Sequence, residues 1–220
     1  MVSRPSLIIF DCDGVLVDSE SIGNRILAEV VTELGYPMSE KESLERFHGG
    51  HLTGVLGFIR ETLNIETTDE LRIAIRSRID EALAREVEEV PGATALLDML
   101  DEAGIPYVAG SNGPPEKMRV TLGRTGLLPR LEGRYFSAWE IGRFKPDPAI
   151  FLHAAEAMGA DIRACAVVED SLTGVQAGVA SGARCYARTA YLDRPVIEEL
   201  GATPFDELHE LVTQFGLSAA

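Results

Sequence analysis

The chain has 220 residues, of which 45% are hydrophobic and 25% charged, so it can bury a sizeable core. Its 35 acidic residues outnumber 20 basic ones, and the net charge of -15 argues against nucleic acid and anionic membranes as partners. Its apolar runs are far shorter than the ~20 residues that cross a bilayer. Three scattered cysteines exclude a disulfide framework or a zinc site. We therefore expect a globular protein of the reducing cytoplasm.

Short apolar runs alternate with helical patterns at the start of the chain and after about residue 90. The run Leu7–Phe10 predicts a strand that is covered on both faces. Similar runs recur at residues 105–109, 164–168 and 183–187. One helical pattern follows Pro91 and stops at Gly104, and another follows Pro148 and stops at Gly159. This alternation predicts an α/β fold with a doubly wound parallel sheet.

The segment between these two regions has a helical pattern throughout. Apolar residues repeat at helical spacing from Ile22 to Leu34. Ser39-x-x-Glu42 and Thr67-x-x-Glu70 are typical of capping boxes that open further helices. We therefore expect an all-helical cap domain inserted after the first strand of an α/β core. The expected boundaries are residues 19–89 for the cap, and 1–18 and 90–220 for the core.

Pairs of carboxylates follow two of the predicted strands. Asp11 and Asp13 stand two residues apart, so both can face the same side, and Glu169-Asp170 ends a later apolar run. Open α/β sheets bind ligands outside the carboxyl ends of their strands. Crowded carboxylates do not all stay ionised without a cation, and Mg²⁺ prefers oxygen ligands. The two pairs together predict a Mg²⁺ site, although Asp13-Gly14 alone would be an ordinary turn.

Two further stretches carry groups that suit a phosphate. Ser111 and Asn112 end another predicted strand, where a hydroxyl, an amide and the N–H groups of the next helix can meet phosphate oxygens. Taken alone, this stretch is a common turn. Lys145 stands beside Pro146 and Pro148, which stiffen the backbone around it. A lone lysine is normally a solvated charge, but its rigid setting favours a role at the site.

In this order, the four stretches resemble the haloacid dehalogenase-like hydrolase superfamily, in the branch with a helical cap after the first motif. The matching stretches are residues 11–20, Ser111-Asn112, Lys145-Pro146 and 168–171. Within that superfamily the chain looks most like sugar-phosphate phosphatases and β-phosphoglucomutases. The resemblance implies a Mg²⁺-dependent phosphatase that acts on a small phosphosugar or phosphoacid through an aspartyl-phosphate. Its partner would be a small phosphorylated metabolite.

The resemblance also implies a role for each matching residue. Asp11 would be the nucleophile, and Asp13 would be the general acid and base. Ser111 and Lys145 would hold phosphoryl oxygens, with Asn112 alongside. The metal ligands would be Asp11, the backbone carbonyl of Asp13, and Asp170, with Glu169 in the same shell.

In this superfamily the cap selects the substrate, and residues 47–53 form the expected specificity loop. His48 and His51 could reach sugar hydroxyls or a carboxylate, or could simply belong to a turn between helices. β-Phosphoglucomutases carry an arginine in this loop, whereas here the first arginine beyond it is Arg60. The stretch Ser111-Asn112-Gly113-Pro114 also departs from the mutases and is similar to enzymes that dephosphorylate 6-phosphogluconate. Both departures favour hydrolysis, with a β-phosphoglucomutase-type isomerase as the alternative.

Three other activities fit the residues less well. A 2-haloacid dehalogenase conflicts with Asp13, which dehalogenases lack. A phosphonoacetaldehyde hydrolase needs a cap lysine for a Schiff base, and Lys41 lies in an acidic, exposed-looking helix. A non-catalytic binding module would tolerate changes at Asp11, Asp13 and Lys145, yet all three are intact.

Overall fold

The structure, a computed structural model, describes residues 4–217. The chain divides into two compact units, each with its own apolar core. One unit contains the chain up to Val17 and from Glu89 onward, and the other contains Asp18–Glu88. Each of the two boundaries between the units lies one residue earlier in the chain than the sequence pattern predicts.

The first unit is built on a sheet of six parallel strands. The strands are β1 (Ile8–Phe10), β2 (Tyr107–Ser111), β3 (Tyr135–Ser137), β4 (Ala166–Glu169), β5 (Arg184–Arg188) and β6 (Thr203–Phe205). Their order across the sheet is β3-β2-β1-β4-β5-β6. The predicted parallel α/β sheet is thus confirmed, and the short strands β3 and β6 are additions to it.

The second unit consists of four helices, and residues 18–88, all of which the structure describes, contain no named strand. The helices are α1 (Ser19–Glu33), α2 (Glu40–Phe47), α3 (Leu52–Leu63) and α4 (Asp69–Glu86). The Ser39 hydroxyl accepts the N–H of Glu42, as the first capping pattern predicts. The second cap is shifted by one residue, because Thr68 rather than Thr67 accepts the N–H of Leu71. The loop expected over residues 47–53 is shorter, since α3 already begins at Leu52.

The first unit also contains further helices, several of which pack against strands of the sheet. They are α5 (Ala93–Ala103), α6 (Pro115–Arg124), α7 (Leu128–Leu131), α8 (Ala138–Ile141), α9 (Ala149–Ala157), α10 (Leu172–Ser181), α11 (Arg194–Glu199) and α12 (Leu211–Gln214), with 3-10 turns at Ile162–Ala164 and Leu208–Glu210. The two helical patterns predicted after Pro91 and Pro148 correspond to α5 and α9. All three cysteines are buried. Within residues 4–217, every helix is too short or too polar to cross a membrane.

The strand order determines where a ligand can approach the sheet. From β1 the chain adds β2 and β3 on one side, and then returns to place β4, β5 and β6 on the other side. Phe10 is level with Ala109 on one neighbour and with Val168 on the other. The direction therefore reverses between β1 and β4, and open α/β sheets bind ligands at such a switch point, outside the carboxyl ends of the strands.

Candidate active site

Three carboxylates meet at the carboxyl ends of β1 and β4. Asp11 follows β1 directly, and its N–H donates to the carbonyl of Val168 over 2.8 Å. Glu169 ends β4 and Asp170 comes next, and all three side chains are buried. One oxygen from each of the three carboxylates lies within 4.8 Å of the other two. The structure thus brings together the acidic residues that the sequence predicted on separate strands.

Lys145 lies among these carboxylates and is itself buried. Its ammonium donates to Asp11 Oδ1, and to Glu169 Oε1 over 2.5 Å. The Nζ atom also lies 4.9 Å from the centre of the Phe151 ring. Burial alone would lower the pKa of Lys145, but the Asp11 and Glu169 carboxylates raise it above its usual value. The lysine therefore stays protonated and offers a fixed positive charge beside Asp11.

The environment of Asp11 has the opposite effect, because it disfavours the ionised form that the expected nucleophilic role would require. Burial raises the pKa of Asp11 well above its usual value, Lys145 opposes this rise, and the neighbouring Glu169 and Asp170 carboxylates add to it. A cation bound among these oxygens would favour the ionised form. Gly14 leaves room for such an arrangement: its φ is +79°, and a Cβ there would lie 1.8 Å from Asp170 Oδ2. The oxygen-only donor set fits a hard divalent cation such as Mg²⁺.

The turn between β4 and α10 is built around the Glu169 carboxylate. Glu169 Oε2 accepts the N–H groups of Asp170 and Ser171 over 2.9 and 3.1 Å, and also the Ser171 hydroxyl. A Cβ at Gly174 would lie 2.0 Å from the carboxyl carbon of Glu169. The glycine at the start of α10 is therefore required by the approach of Glu169, and both oxygens of Glu169 accept hydrogen bonds inside the protein.

Asp13 is held by two side chains, one from the last residue of β2 and one from α6. Its Oδ2 accepts the Ser111 hydroxyl over 3.3 Å, and its Oδ1 lies 2.7 Å from the Nζ of Lys117. Lys117 stands in the first turn of α6, and sequence reasoning missed it. One signal could have found it, since a cation in the first turn of a helix opposes the helix dipole and needs a compensating partner.

Asn112 contacts the Lys145 backbone through its side chain, and its own backbone carbonyl contacts Trp139. Its side-chain Oδ1 accepts the backbone N–H of Lys145 over 2.9 Å. Its carbonyl accepts the indole N–H of Trp139 over 3.0 Å, and the Trp139 ring lies edge-on to Phe144 at 5.6 Å. The Lys145–Pro146 peptide bond in this segment is cis. Asn112 and Trp139 thus fix the backbone that carries Lys145, and Trp139 had no signal in the sequence.

The two histidines predicted to select the substrate lie in the helical unit. His48 follows α2, with its Nε2 4.0 Å from Glu20 Oε2. The amide of Asn24 donates to the same carboxylate oxygen over 3.4 Å. His51 is exposed and caps the N-terminus of α3 without a side-chain hydrogen bond to the helix. Substrate selection by these residues stays a prediction.

Comparison with known proteins identifies the family. The family model described as haloacid dehalogenase-like hydrolase matches residues 5–182, most of the chain. This protein belongs to that family of hydrolases. The resemblance inferred from the four sequence stretches is thereby confirmed. The carboxyl ends of β1 and β4, where the acidic residues meet, lie within the matched residues.

Individual relatives cover nearly the whole of this hydrolase. It is 32% identical over 211 residues to a protein named 6-phosphogluconate phosphatase from Escherichia coli, spanning 96% of this chain and 94% of that one. A haloacid dehalogenase-like protein of unknown function from Agrobacterium tumefaciens superposes with a TM-score of 0.86 at 32% identity, over 96% of this chain and 97% of the other. A family hydrolase from Deinococcus radiodurans, solved with bound phosphate and sodium, gives a TM-score of 0.84 at 28% identity, over 99% and 100%.

Proposed function

We propose that this hydrolase is a Mg²⁺-dependent phosphatase that transfers the phosphoryl group of a small phosphosugar or phosphoacid to Asp11 and then to water. The observation that carries the proposal is the position of Asp11, buried beside the protonated Lys145 at the switch point of the sheet. A buried carboxylate with an adjacent cation can attack an anion that it would otherwise repel. The similarity to a named phosphatase over 96% of the chain supports the reaction class.

In the first step, an oxygen of Asp11 forms a bond to phosphorus while the bond from phosphorus to the leaving oxygen breaks. The leaving oxygen keeps the electron pair of that bond and takes a proton from Asp13. The substrate's alcohol departs, and Asp13 is left as a carboxylate. Lys145 and the Ser111 hydroxyl would hold the phosphoryl oxygens during the transfer. Asn112 would keep the Lys145 backbone in place through its 2.9 Å hydrogen bond.

In the second step, Asp13 takes a proton from water, and the water oxygen forms a bond to phosphorus. The bond between phosphorus and Asp11 breaks, and its electron pair returns to the Asp11 carboxylate. Inorganic phosphate leaves, and Asp13 again carries the proton with which the cycle began. The same residue thus serves as acid and then as base, as the two steps require.

The metal would be held by Asp11, the backbone carbonyl of Asp13, and Asp170. Glu169 would contribute its charge to the site, because its oxygens already accept hydrogen bonds from Lys145 and the following turn. When bound, Mg²⁺ supplies positive charge that neutralises the charge developing on the phosphoryl oxygens. The Asp11, Glu169 and Asp170 carboxylates and the Lys145 ammonium together carry a net charge of -2, which a divalent cation would balance.

We further propose 6-phosphogluconate as the first substrate to test. A relative that is 32% identical over 96% of this chain bears that substrate in its name. The proposal extends to His48 and His51 as residues that select the substrate. Replacing either by alanine should alter the ranking of substrates more than the rate with the simplest phosphate ester.

The experiment is a phosphate-release panel with Mg²⁺ and, separately, with EDTA. The panel contains 6-phosphogluconate, β-glucose 1-phosphate, 2-phosphoglycolate and p-nitrophenyl phosphate, and β-glucose 1-phosphate is also assayed for glucose 6-phosphate. We expect metal-dependent phosphate release, with 6-phosphogluconate ranked first.

Two outcomes would contradict the proposal. Formation of glucose 6-phosphate without phosphate release would make the protein a mutase. Equal rates in Mg²⁺ and EDTA would remove the metal from the mechanism. Asp11→Asn protein from the same preparation provides the control for contaminating phosphatases.

A further inference from the structure

A second lysine contacts the general acid of the proposed mechanism. Lys117 and Asp13 pair over 2.7 Å, with 16% and 14% of their side chains exposed. The contact joins α6 to the loop after β1, more than a hundred residues apart along the chain. It is separate from the contacts of Lys145, which reach Asp11 and Glu169 deeper in the site.

The surroundings of Asp13 fix its carboxylate at both oxygens. Lys117 contacts Oδ1, and the Ser111 hydroxyl donates to Oδ2 over 3.3 Å. The Ser111 oxygen is itself fixed, because it accepts the N–H of Gly113 over 2.8 Å. A Cβ at Gly113 would lie 3.2 Å from Asp13 Oδ2 and from Ser111 Oγ. This close packing leaves the Asp13 carboxylate little freedom to rotate.

The position of Lys117 carries an electrostatic cost that needs an explanation. It is the third residue of α6, where the positive end of the helix dipole disfavours a cation. The Lys117 side chain also loses rotational freedom on pairing with Asp13. A lysine that served only solubility would do so better on the exposed face of the helix, where Arg119 lies.

We propose that Lys117 is a positioning residue, which holds the Asp13 carboxyl in the orientation from which it gives its proton to the leaving oxygen. This inference rests on the proposed phosphatase function. The balance of the step is unchanged: the bond from phosphorus to the leaving oxygen breaks, and that oxygen takes the proton of Asp13. Lys117 touches neither the phosphorus nor the leaving oxygen in this role. It acts through Asp13.

The role of Lys117 should therefore depend on the leaving group. An alkoxide is a poor leaving group and needs the proton, whereas p-nitrophenolate leaves without one. Misplacing a general acid slows only reactions that use it, and a shift of about 1 Å costs on the order of a hundredfold. A lysine that bound the phosphoryl group would affect both kinds of ester alike.

The test compares Lys117→Met with the wild type on two esters, p-nitrophenyl phosphate and the alkyl phosphate that ranks first in the panel. We expect kcat/KM, which reports the steps up to the first phosphoryl transfer, to fall roughly 10- to 100-fold for the alkyl ester and less than about threefold for p-nitrophenyl phosphate. The attack of water, in which Asp13 acts as the base, is common to both esters and does not enter this comparison. Lys117→Arg, which keeps the cation, should recover most of the loss.

The control is Arg119→Met, which removes a cation from the same helix where 62% of the side chain is exposed. It should leave both rates unchanged, and thermal unfolding of all variants checks that they are folded. Equal losses on the two esters, a rise in KM at unchanged kcat, or no loss at all would overturn the inference alone. Absence of phosphate release from both esters in the wild type would overturn the proposed function, and the inference with it.

Discussion

The α/β unit and the helical unit both contain a cation between two carboxylates, at very different depths. In the α/β unit, 3% of the Lys145 side chain is exposed between Asp11 and Glu169. In the helical unit, 38% of the Arg78 side chain is exposed where it links α4 to Glu29 and Glu33 on α1. Each cluster places one basic side chain between two carboxylates, but solvent screens only the cluster around Arg78.

Under the proposed function, this difference in depth separates charges that take part in the reaction from charges that lie at the surface. A buried ion pair loses so much hydration that apolar side chains would often stabilise the fold as well. The proposed phosphoryl transfer would explain why such a buried ion pair lies at the switch point of the sheet. The exposed pairs of the helical unit cost little to form and add little to stability.

The largest effect should come from neutralising the nucleophile. Asp11→Asn should lower kcat by roughly a thousandfold or more, because the covalent route is lost. The thermal midpoint in EDTA should not fall, because burial already raises the pKa of Asp11 and disfavours its ionised form. Added Mg²⁺ should raise the midpoint of the wild type more than that of the variant. Turnover close to that of the wild type would exclude Asp11 as the nucleophile.

The next largest effect should appear in urea unfolding, in a comparison of variants at Lys145 and Arg78. Lys145→Met should lower the free energy of unfolding by about 3–5 kcal/mol, because Asp11 and Glu169 lose their buried partner. Arg78→Met should cost only a small fraction of this, since water solvates the carboxylates it leaves behind. Adding Asp11→Asn to Lys145→Met should recover part of the loss. Equal costs for Lys145→Met and Arg78→Met would break the distinction by depth.

The smallest effect compares two helical glycines. Gly174→Ala would place a Cβ 2.0 Å from the Glu169 carboxyl carbon, so we expect a loss of about 1–3 kcal/mol together with lower turnover. Gly57→Ala in α3 meets nothing within 4 Å and should gain about 0.5–1 kcal/mol, as alanine does inside a helix. Thermal unfolding and phosphate release measure both. A stabilising Gly174→Ala would show that the turn around Glu169 can relax.

Local patterns in the sequence predicted the sheet and the residues that end its strands. Asp11 and Glu169 each follow a run of buried apolar residues, and parallel strands bring such positions to one edge. The strands β3 and β6 were not predicted because neither lies in a continuous apolar run: β3 ends in a serine, and β6 begins with a threonine and a proline. Thr67 and Thr68 are adjacent and chemically identical, so the sequence alone could not decide which of the two caps the helix.

Contacts between distant segments were beyond such reasoning. Lys117 meets Asp13 only because β2 lies beside β1, and Trp139 meets Asn112 only because β3 lies beside β2. Neither contact leaves a periodic pattern or a spacing in the chain. The nature of the site could be predicted from its strand ends. The position of Lys117 in a first helical turn indicates that it needs an acidic partner, but the sequence does not say which residue that partner is.

The hydrogen bond from Trp139 to the carbonyl of Asn112 gives the protein an optical probe of its own. The chain has a single tryptophan, so its tryptophan fluorescence, excited where the five tyrosines do not absorb, comes from one place beside the backbone that carries Lys145. Indole emission responds to the polarity and hydrogen bonding around the ring, and 54% of this side chain is exposed. Phosphate that binds Lys145 would disturb the backbone beside Trp139. We therefore expect phosphate binding to change the tryptophan emission, which can be measured without a dye or a turnover assay.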